Sequence, residues 1–546
     1  MKKILIIGIF LLSATMFTSC TKDLNVTPKD PSTITSANLG SNPAFLKEDL
    51  AKIYASFIIS GQSNSQPDIT GGDPNFFTTM RALWNLQELP TDEAICAWGD
   101  VGISPLNTQT WTPTNPFLTA LYQRLGLSIT YANEFIRNTE GNKDPNVVRY
   151  RAEARFLRAL AYYWDMDLFG NPPFTTEKNQ VGKFYPKQLD PDVKVARKKL
   201  FSYIVSELKA IEPDLGKPGF SFPRADQGAD WMLLAKVYQN AQVYTGTAKW
   251  DSCAYYASKV INSGAYKLAT DYRQNFSADN NYPTDPEMIF AWSQDGLHTQ
   301  GYVGTTFIME SSCDAIYLPA ETYVGLTTNT NWNGNRARKN FLNVMMDTAA
   351  VYAYNGGNVD YKNDPFFKKC KDSRVYLRVK KSPDIPSATA SGDYGIGVYK
   401  FTARNHDGTL PADYNSAFAC TNYPIFRLAG AYLMRAEAEF RTGDLTGAVQ
   451  DINKVRERAF GGPSGDITTS QLTAKFLLNE LGREFYYEGH RRTDLIRFGE
   501  FTNGTYNWQW KGGAQNGIAT DSYRNLYPIP GDEVSSNPYI HQNPGY

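Results

Sequence analysis

The sequence predicts a mainly α fold, in which about four stacked helix pairs carry a large loop-rich lobe containing few short strands. Three observations predict it. Arg149 to Leu168 carries two adjoining apolar stripes at helical spacing and has no Gly or Pro inside. Arg151-Ala-Glu-Ala-Arg-Phe156 is echoed by Arg435-Ala-Glu-Ala-Glu-Phe440, and each copy precedes a second amphipathic helix. Between Ala269 and Pro424 helical periodicity gives way to sequence rich in Gly, Asn, Thr and Tyr.

The helix at 149–168 organises the rest. Ala152, Phe156, Ala159, Leu160 and Tyr163 form one stripe; Ala154, Leu157, Ala161, Trp164 and Leu168 form the other. Only Arg151, Arg155, Arg158 and Asp165 are left as a narrow charged arc, so the helix needs helical neighbours on two sides. Gly170-Asn-Pro-Pro173 stops it.

In chain order, Pro43 to Ile59 reads as a first helix, from Leu46, Leu50, Ile53, Tyr54 and Phe57. A polar stretch over 60–75 follows, then an apolar return over 76–86 that leads into Gln87 to Trp98. Phe117 to Thr139 is a second long helix, and Val193 to Ile211 follows the organising helix, with Arg197-Lys-Lys199 read as its solvated face. Trp231-x-x-Leu234-Ala235-x-x-Tyr238 matches the first helix of a tetratricopeptide unit, and Lys249 to Ser263 supplies its second. Leu433-x-x-Ala436-Glu437-x-x-Phe440, the turn Thr442-Gly-Asp and the run Ala448, Ile452, Val455 repeat that pattern. Pairs near 150–211, 229–263 and 426–459, with one from the first two long helices, make the scaffold. One domain is therefore expected over 43–546, with helices at 43–268 and 425–498 and the lobe at 269–424, where Met288 to Trp292 reads as a short strand.

Lys and Arg (55) balance Asp and Glu (55), which leaves no electrostatic footprint for nucleic acid. The aromatic share of 14 %, with 34 Tyr and 10 Trp, suits structured loops and flat polar ligands as well as core. Lys2 and Lys3 precede the apolar run Ile4 to Leu12, too short to span a membrane, and residues 1–19 read as a secretory signal. Ending in Phe-Thr-Ser-Cys, the signal resembles that of a bacterial lipoprotein, lipidated at Cys20, with 20–42 as a tether; an ordinary cleaved signal is the alternative. The other cysteines, Cys96, Cys253, Cys313, Cys370 and Cys420, are scattered and make no disulfide framework.

Glu480-Leu-Gly-Arg-Glu-Phe-Tyr-Tyr-Glu488-Gly-His-Arg-Arg-Thr-Asp494-Leu-Ile-Arg-Phe-Gly499 resembles a motif of the SusD/RagB family of outer-membrane nutrient-uptake lipoproteins. The run Ala152 to Gly170 with its Pro-Pro turn, Tyr527-Pro-Ile-Pro530 and Gln542-Asn-Pro-Gly-Tyr546 resemble the same family. The resemblance covers Cys20 to Tyr546. It implies a lipid-anchored protein at the outer cell surface that captures glycans for a SusC-like TonB-dependent transporter. Asn85 to Trp98, the Tyr302 segment Gly-Tyr-Val-Gly-Thr-Thr-Phe and the Trp332 loop Thr-Asn-Thr-Asn-Trp-Asn-Gly are similar to the family's starch binder. By that resemblance Trp98, Tyr302 and Trp332 form an aromatic arc for the curved face of an α-glucan, and Arg81 reaches its hydroxyls. Two positions depart: Cys96 stands where the starch binder has a further tryptophan, and Val101 where it has an asparagine.

Catalysis has little support in the residues. His298, His406, His490 and His541 are not at metal-ligand spacing, and no nucleophile-elbow, zincin or P-loop motif occurs. Asp92, Glu93, Glu484 and Glu488 could pair as glycosidase carboxylates, but their arginine neighbours Arg483, Arg491 and Arg492 favour structural ion pairs. No cofactor is expected; for calcium only Asp279 and Asp285 in an Asn-rich loop come into question. Binding without turnover is the expectation. A protein- or peptide-binding scaffold without glycan affinity is the alternative.

Overall fold

The computed structural model describes residues 43–63, 66–69, 73–179, 181–182, 184–345 and 371–546. The expected signal, the lipidation site Cys20, the tether and Cys370 lie outside the described residues.

The helices that build the scaffold are α1 (Pro43–Ala55), α2 (Thr79–Glu88), α3 (Pro116–Asn138), α4 (Pro145–Leu168), α5 (Val193–Ile211), α6 (Gln227–Gln239) and α7 (Trp250–Asn262). After α8 (Gly304–Ser312) in the lobe come α9 (Leu428–Thr442), α10 (Leu445–Phe460), α11 (Ala474–Phe485) and α12 (Arg491–Arg497). Side-chain caps explain several starts. Asn115, Asp144, Asp192, Asp226, Asp444 and Thr473 each accept a hydrogen bond from a first-turn amide of α3, α4, α5, α6, α10 and α11. Prolines at the first turn of α3 and α4 occupy positions whose amides would be unpaired in any case. Gly443, at φ 94°, takes the left-handed conformation that lets α9 turn sharply into α10.

Helix α4 packs between α3 and α5, as its two stripes require. The stack continues through α6 and α7 to α9 and α10, so the expected pairs α4/α5, α6/α7 and α9/α10 all form. In the first unit α1 lies across both α3 and α4, while α2 packs on α3 and α12.

The charged arc of α4 is partly buried. Arg158 is only 2 % exposed, and donates to Asn133 and Glu177 at 2.6 Å and to Glu207 at 2.8 Å. Asp165, two turns further along α4, is buried as well. Arg197, read as solvated, is buried and donates to the carbonyls of Met166 and Asp167. Helical spacing locates a charged side chain on a face, but the partner that makes its burial tolerable comes from elsewhere in the chain.

The strands that frame the lobe are β1 (Ile95–Cys96), β2 (Met288–Trp292), β3 (Asn335–Arg336), β4 (Leu377–Val379), β5 (Ile396–Val398) and β6 (Tyr423–Arg427). They pair antiparallel as β1–β3, β2–β6 and β4–β5. The expected strand at Met288 to Trp292 is present, with all five residues buried. Trp292 stands opposite Tyr423, so the chain leaves for the rest of the lobe and returns to α9 through one strand pair.

A buried ion network clamps lobe to scaffold. Glu480 accepts from Arg374, Arg456 and Arg483 at 2.7, 2.8 and 2.6 Å. Glu484 faces Arg427 and Arg458 at 2.5 Å and Arg374 at 3.2 Å. Glu488 faces Lys400 at 2.6 Å and Arg427 at 2.8 Å. The structural reading of Glu484 and Glu488 thus fits, but their partners differ from the expected ones. Arg483 pairs with Glu480, Arg491 pairs with Asp92, and Arg492 donates to the Asn525 carbonyl. Burial alone would raise the Glu480 carboxyl, yet Arg374, Arg483 and Arg456 together hold it down at about 2.

Arg374→Met would leave Asp372 and part of Glu480 without counter-charge, and should cost about 3–5 kcal/mol in urea unfolding at neutral pH. Because the Glu480 pKa lies below its ordinary 4.5, its stabilisation is complete above about 4.5 and is lost as pH falls toward about 2. The gap between wild type and variant should therefore narrow over that acid window.

Candidate functional site

The run Gln87 to Trp98 docks onto the turn between α11 and α12. Glu93 accepts from the Tyr487 amide at 2.7 Å, and Glu88 from the His490 amide at 3.0 Å. Asp92 takes both arms of Arg491, at 2.8 and 2.7 Å, and the Tyr506 hydroxyl. Gln87 accepts from the amide and hydroxyl of Thr493. Tyr487 and Gly489, at φ 64° and 73°, turn the backbone so that its amides face these acids. Burial pushes Glu88 up to about 7, and burial together with the neighbouring Glu88 pushes Glu93 higher. Asp92 is opposed by burial, but Arg491 holds it below the usual carboxylate range. The carboxylates weighed as catalytic candidates are thus engaged in holding the fold.

This anchorage delivers Trp98. Strand β1 is fixed on one side by Asn107, whose side chain bonds both the amide and the carbonyl of Cys96 at 3.0 and 2.8 Å. On the other side it pairs with β3, and the Ala97 amide donates to the Gly334 carbonyl at 2.9 Å. The Trp98 indole then donates to the Trp332 carbonyl at 3.1 Å. A Cβ on Gly334 would lie 2.2 Å from Trp98 Cε2, so only glycine lets the indole lie here.

Trp98, Tyr302 and Trp332 come together as a row of half-buried rings. Trp98 and Trp332 have centroids 6.3 Å apart, and Tyr302 meets Trp332 edge-on at 5.7 Å. A fourth ring, Phe418, extends the row at 5.4 Å from Tyr302. Sequence reasoning missed Phe418, which lies in a polar loop with no local signal and joins the row by a contact over more than a hundred residues. The Trp332 loop alternates in handedness: Asn329, Asn331 and Asn333 have φ of 57°, 64° and 52°. Asparagine tolerates that conformation better than other side chains, which accounts for the Thr-Asn-Thr-Asn-Trp-Asn pattern. Buried Glu310 secures the loop, its carboxylate accepting from the Asn331 amide and its carbonyl from the Trp332 amide. Burial raises the Glu310 carboxyl to about 7.

Arg81 sits beneath the row and is 5 % exposed. Its guanidinium lies 4.5 Å from the Phe76 ring, 4.6 Å from Phe307 and 5.5 Å from Trp98, and Nη1 donates to the Asn75 carbonyl. Burial lowers it to about 10, so it stays cationic at neutral pH under the Trp98 face. Of the two departing positions, Cys96 is buried, whereas Val101 is 80 % exposed and three residues beyond Trp98. Trp111 and Trp292 are both buried in the core.

Asp279 bonds His406, and Asp285 accepts from the Glu287 amide. Among the described residues no group of three or more His, Cys, Asp or Glu side chains could hold a metal ion.

Comparison with known proteins places these features in a family. Residues 266–546 match the model of the SusD family. The chain is 36 % identical to the starch-binding protein SusD of Bacteroides thetaiotaomicron, over 97 % of this chain and 96 % of the relative. It is 24 % identical to the SusD-like protein P25 of Formosa agariphila, over 75 % of each. Among solved structures, a SusD-like protein from Bacteroides fragilis superposes with a TM-score of 0.69 at 17 % identity, covering 95 % of this chain and all of that one. Surface glycan-binding protein A from Bacteroides thetaiotaomicron, solved with laminarihexaose, superposes with a TM-score of 0.64 at 18 % identity, covering 92 % and 99 %. A matching family model over more than half of the chain, and a near full-length relative at this identity, have one meaning: the chain belongs to the SusD family.

Proposed function

We propose that the protein captures oligosaccharides at the cell surface, with α-glucan as the class, and passes them without turnover to a TonB-dependent outer-membrane transporter. The carrying observation is the row Trp98–Trp332–Tyr302–Phe418. A pyranose presents one face of C–H groups, for which a ring is a flat apolar platform, and a rim of hydroxyls for polar partners. Successive rings inclined at 49° and 73° form a bent surface rather than a plane, which suits a curved chain. Arg81 acts from below, by holding Trp98 and making its ring environment cationic. The relative at 36 % identity is named for starch binding, and a solved neighbour holds a laminari-oligosaccharide. Both support a glycan ligand, and the first favours an α-glucan. In this reading Cys20 carries the lipid anchor, and the protein works at the outer membrane.

Electrophoresis of the purified protein through gels cast with starch, pullulan, dextran or levan tests the reading. Retardation by an α-glucan is expected, and Trp98→Ala should weaken it about tenfold or more. Free migration in every gel would leave a protein or peptide as the cargo.

Gly334→Ala provides a second test, because it displaces the Trp98 indole without removing it. It should lower glycan affinity to a similar degree and change the near-ultraviolet circular dichroism, while the far-ultraviolet spectrum stays as in wild type.

A further inference from the structure

A cavity of about 540 Å³ opens on the other side of α3, and the aromatic row contributes no residue to it. Tyr122, Gln123 and Asn133 of α3, Asp165 of α4, the Pro172-Pro173 turn and Glu533 are among its lining residues. Its size is that of a small-molecule site.

Two polar groups of this lining are buried without a hydrogen-bond partner among the described residues, although the Tyr122 ring itself packs on Phe169. Asp165 is 2 % exposed and Tyr122 is 6 % exposed. Among the described residues Asp165 Oδ1 and the Tyr122 hydroxyl have no hydrogen-bond partner. An unpaired buried carboxyl costs stability, and a protein retains one readily only where something else makes use of it. Among the described residues no cation pairs with Asp165. Arg137, which also lines the cavity, is held by Glu134 at 2.5 Å and by the Glu177 carbonyl. Among the described residues the Glu533 carboxylate accepts from Gln123 alone, at 3.2 Å. The lining is therefore acidic, with unused acceptors deep inside and apolar walls from Leu127, Ile129 and the two prolines.

We propose that this cavity is a second ligand site, which takes an organic ammonium ion with a small apolar body. The ammonium donates to Asp165 and to the Tyr122 hydroxyl oxygen, and Glu533 adds negative charge beside it. The apolar body packs on the prolines and on Leu127. Burial pushes the Asp165 carboxyl well up, and an ammonium in contact opposes that shift.

Calorimetric titration of the purified protein with phenethylamine, and with its neutral counterpart 2-phenylethanol, tests the site. The amine should bind saturably and the alcohol about tenfold or more weaker, as a charge-assisted bond is lost. Asp165→Asn should abolish the preference for the amine, and Glu533→Gln should weaken it. Trp98→Ala, remote from the cavity lining, should leave amine binding unchanged. Should Asp165→Asn fail to fold, Tyr122→Phe and Glu533→Gln carry the test alone. Equal affinity for amine and alcohol, as a neutral polyol site would show, overturns the proposal. So does the absence of saturable binding, or amine binding that the folded variants leave untouched.

Discussion

Glu480, Glu484 and Glu488 lie out of reach of water on α11 and the turn after it, and each needs a cation in contact. The lobe and β6 supply Arg374, Lys400 and Arg427; α10 supplies Arg456 and Arg458. Replacing such a network by apolar residues need not destabilise a protein, so its value is better sought in positioning than in net energy. A slip of the lobe by one side chain would separate several unlike charges at once in a low-dielectric interior. The lobe therefore has one register over the helices.

That register is carried to the aromatic row through backbone. On either side of Glu488, the turn residues Tyr487 and His490 and the first residue of α12, Arg491, receive the acids of the 87–93 run, which leads into β1 and Trp98. The two most motif-like stretches of the chain thus bind each other and reach any ligand only through the ring they position. Acids beside arginines invite a catalytic reading; their amide and guanidinium partners account for them as joints.

Most of the scaffold was legible because amphipathic helices announce themselves locally, through spacing, caps and stop signals. The lobe was legible from composition, down to the strand Met288–Trp292, and so was the convergence of Trp98, Tyr302 and Trp332, through resemblance. Phe418 and the burial of Arg158 and Arg197 were not. Each depends on a partner far away in the chain, and a single sequence carries no local trace of such pairing. The depth of Arg81 was hidden for the same reason: the rings of Phe76 and Phe307 that enclose it come from separate segments.

The pairing of β2 with β6 makes residues 293–422 one closed excursion from the frame. Closure entropy grows only logarithmically with loop length, by roughly 0.6 kcal/mol for each doubling, so the stretches of this excursion outside the clamp residues Arg374 and Lys400 and outside β3 can lengthen or shorten at small closure cost. Three of the four rings, Tyr302, Trp332 and Phe418, ride on it, whereas Trp98 belongs to the frame. Descent with variation can therefore exchange three of the four rings against a constant fourth while the helices stay as they are.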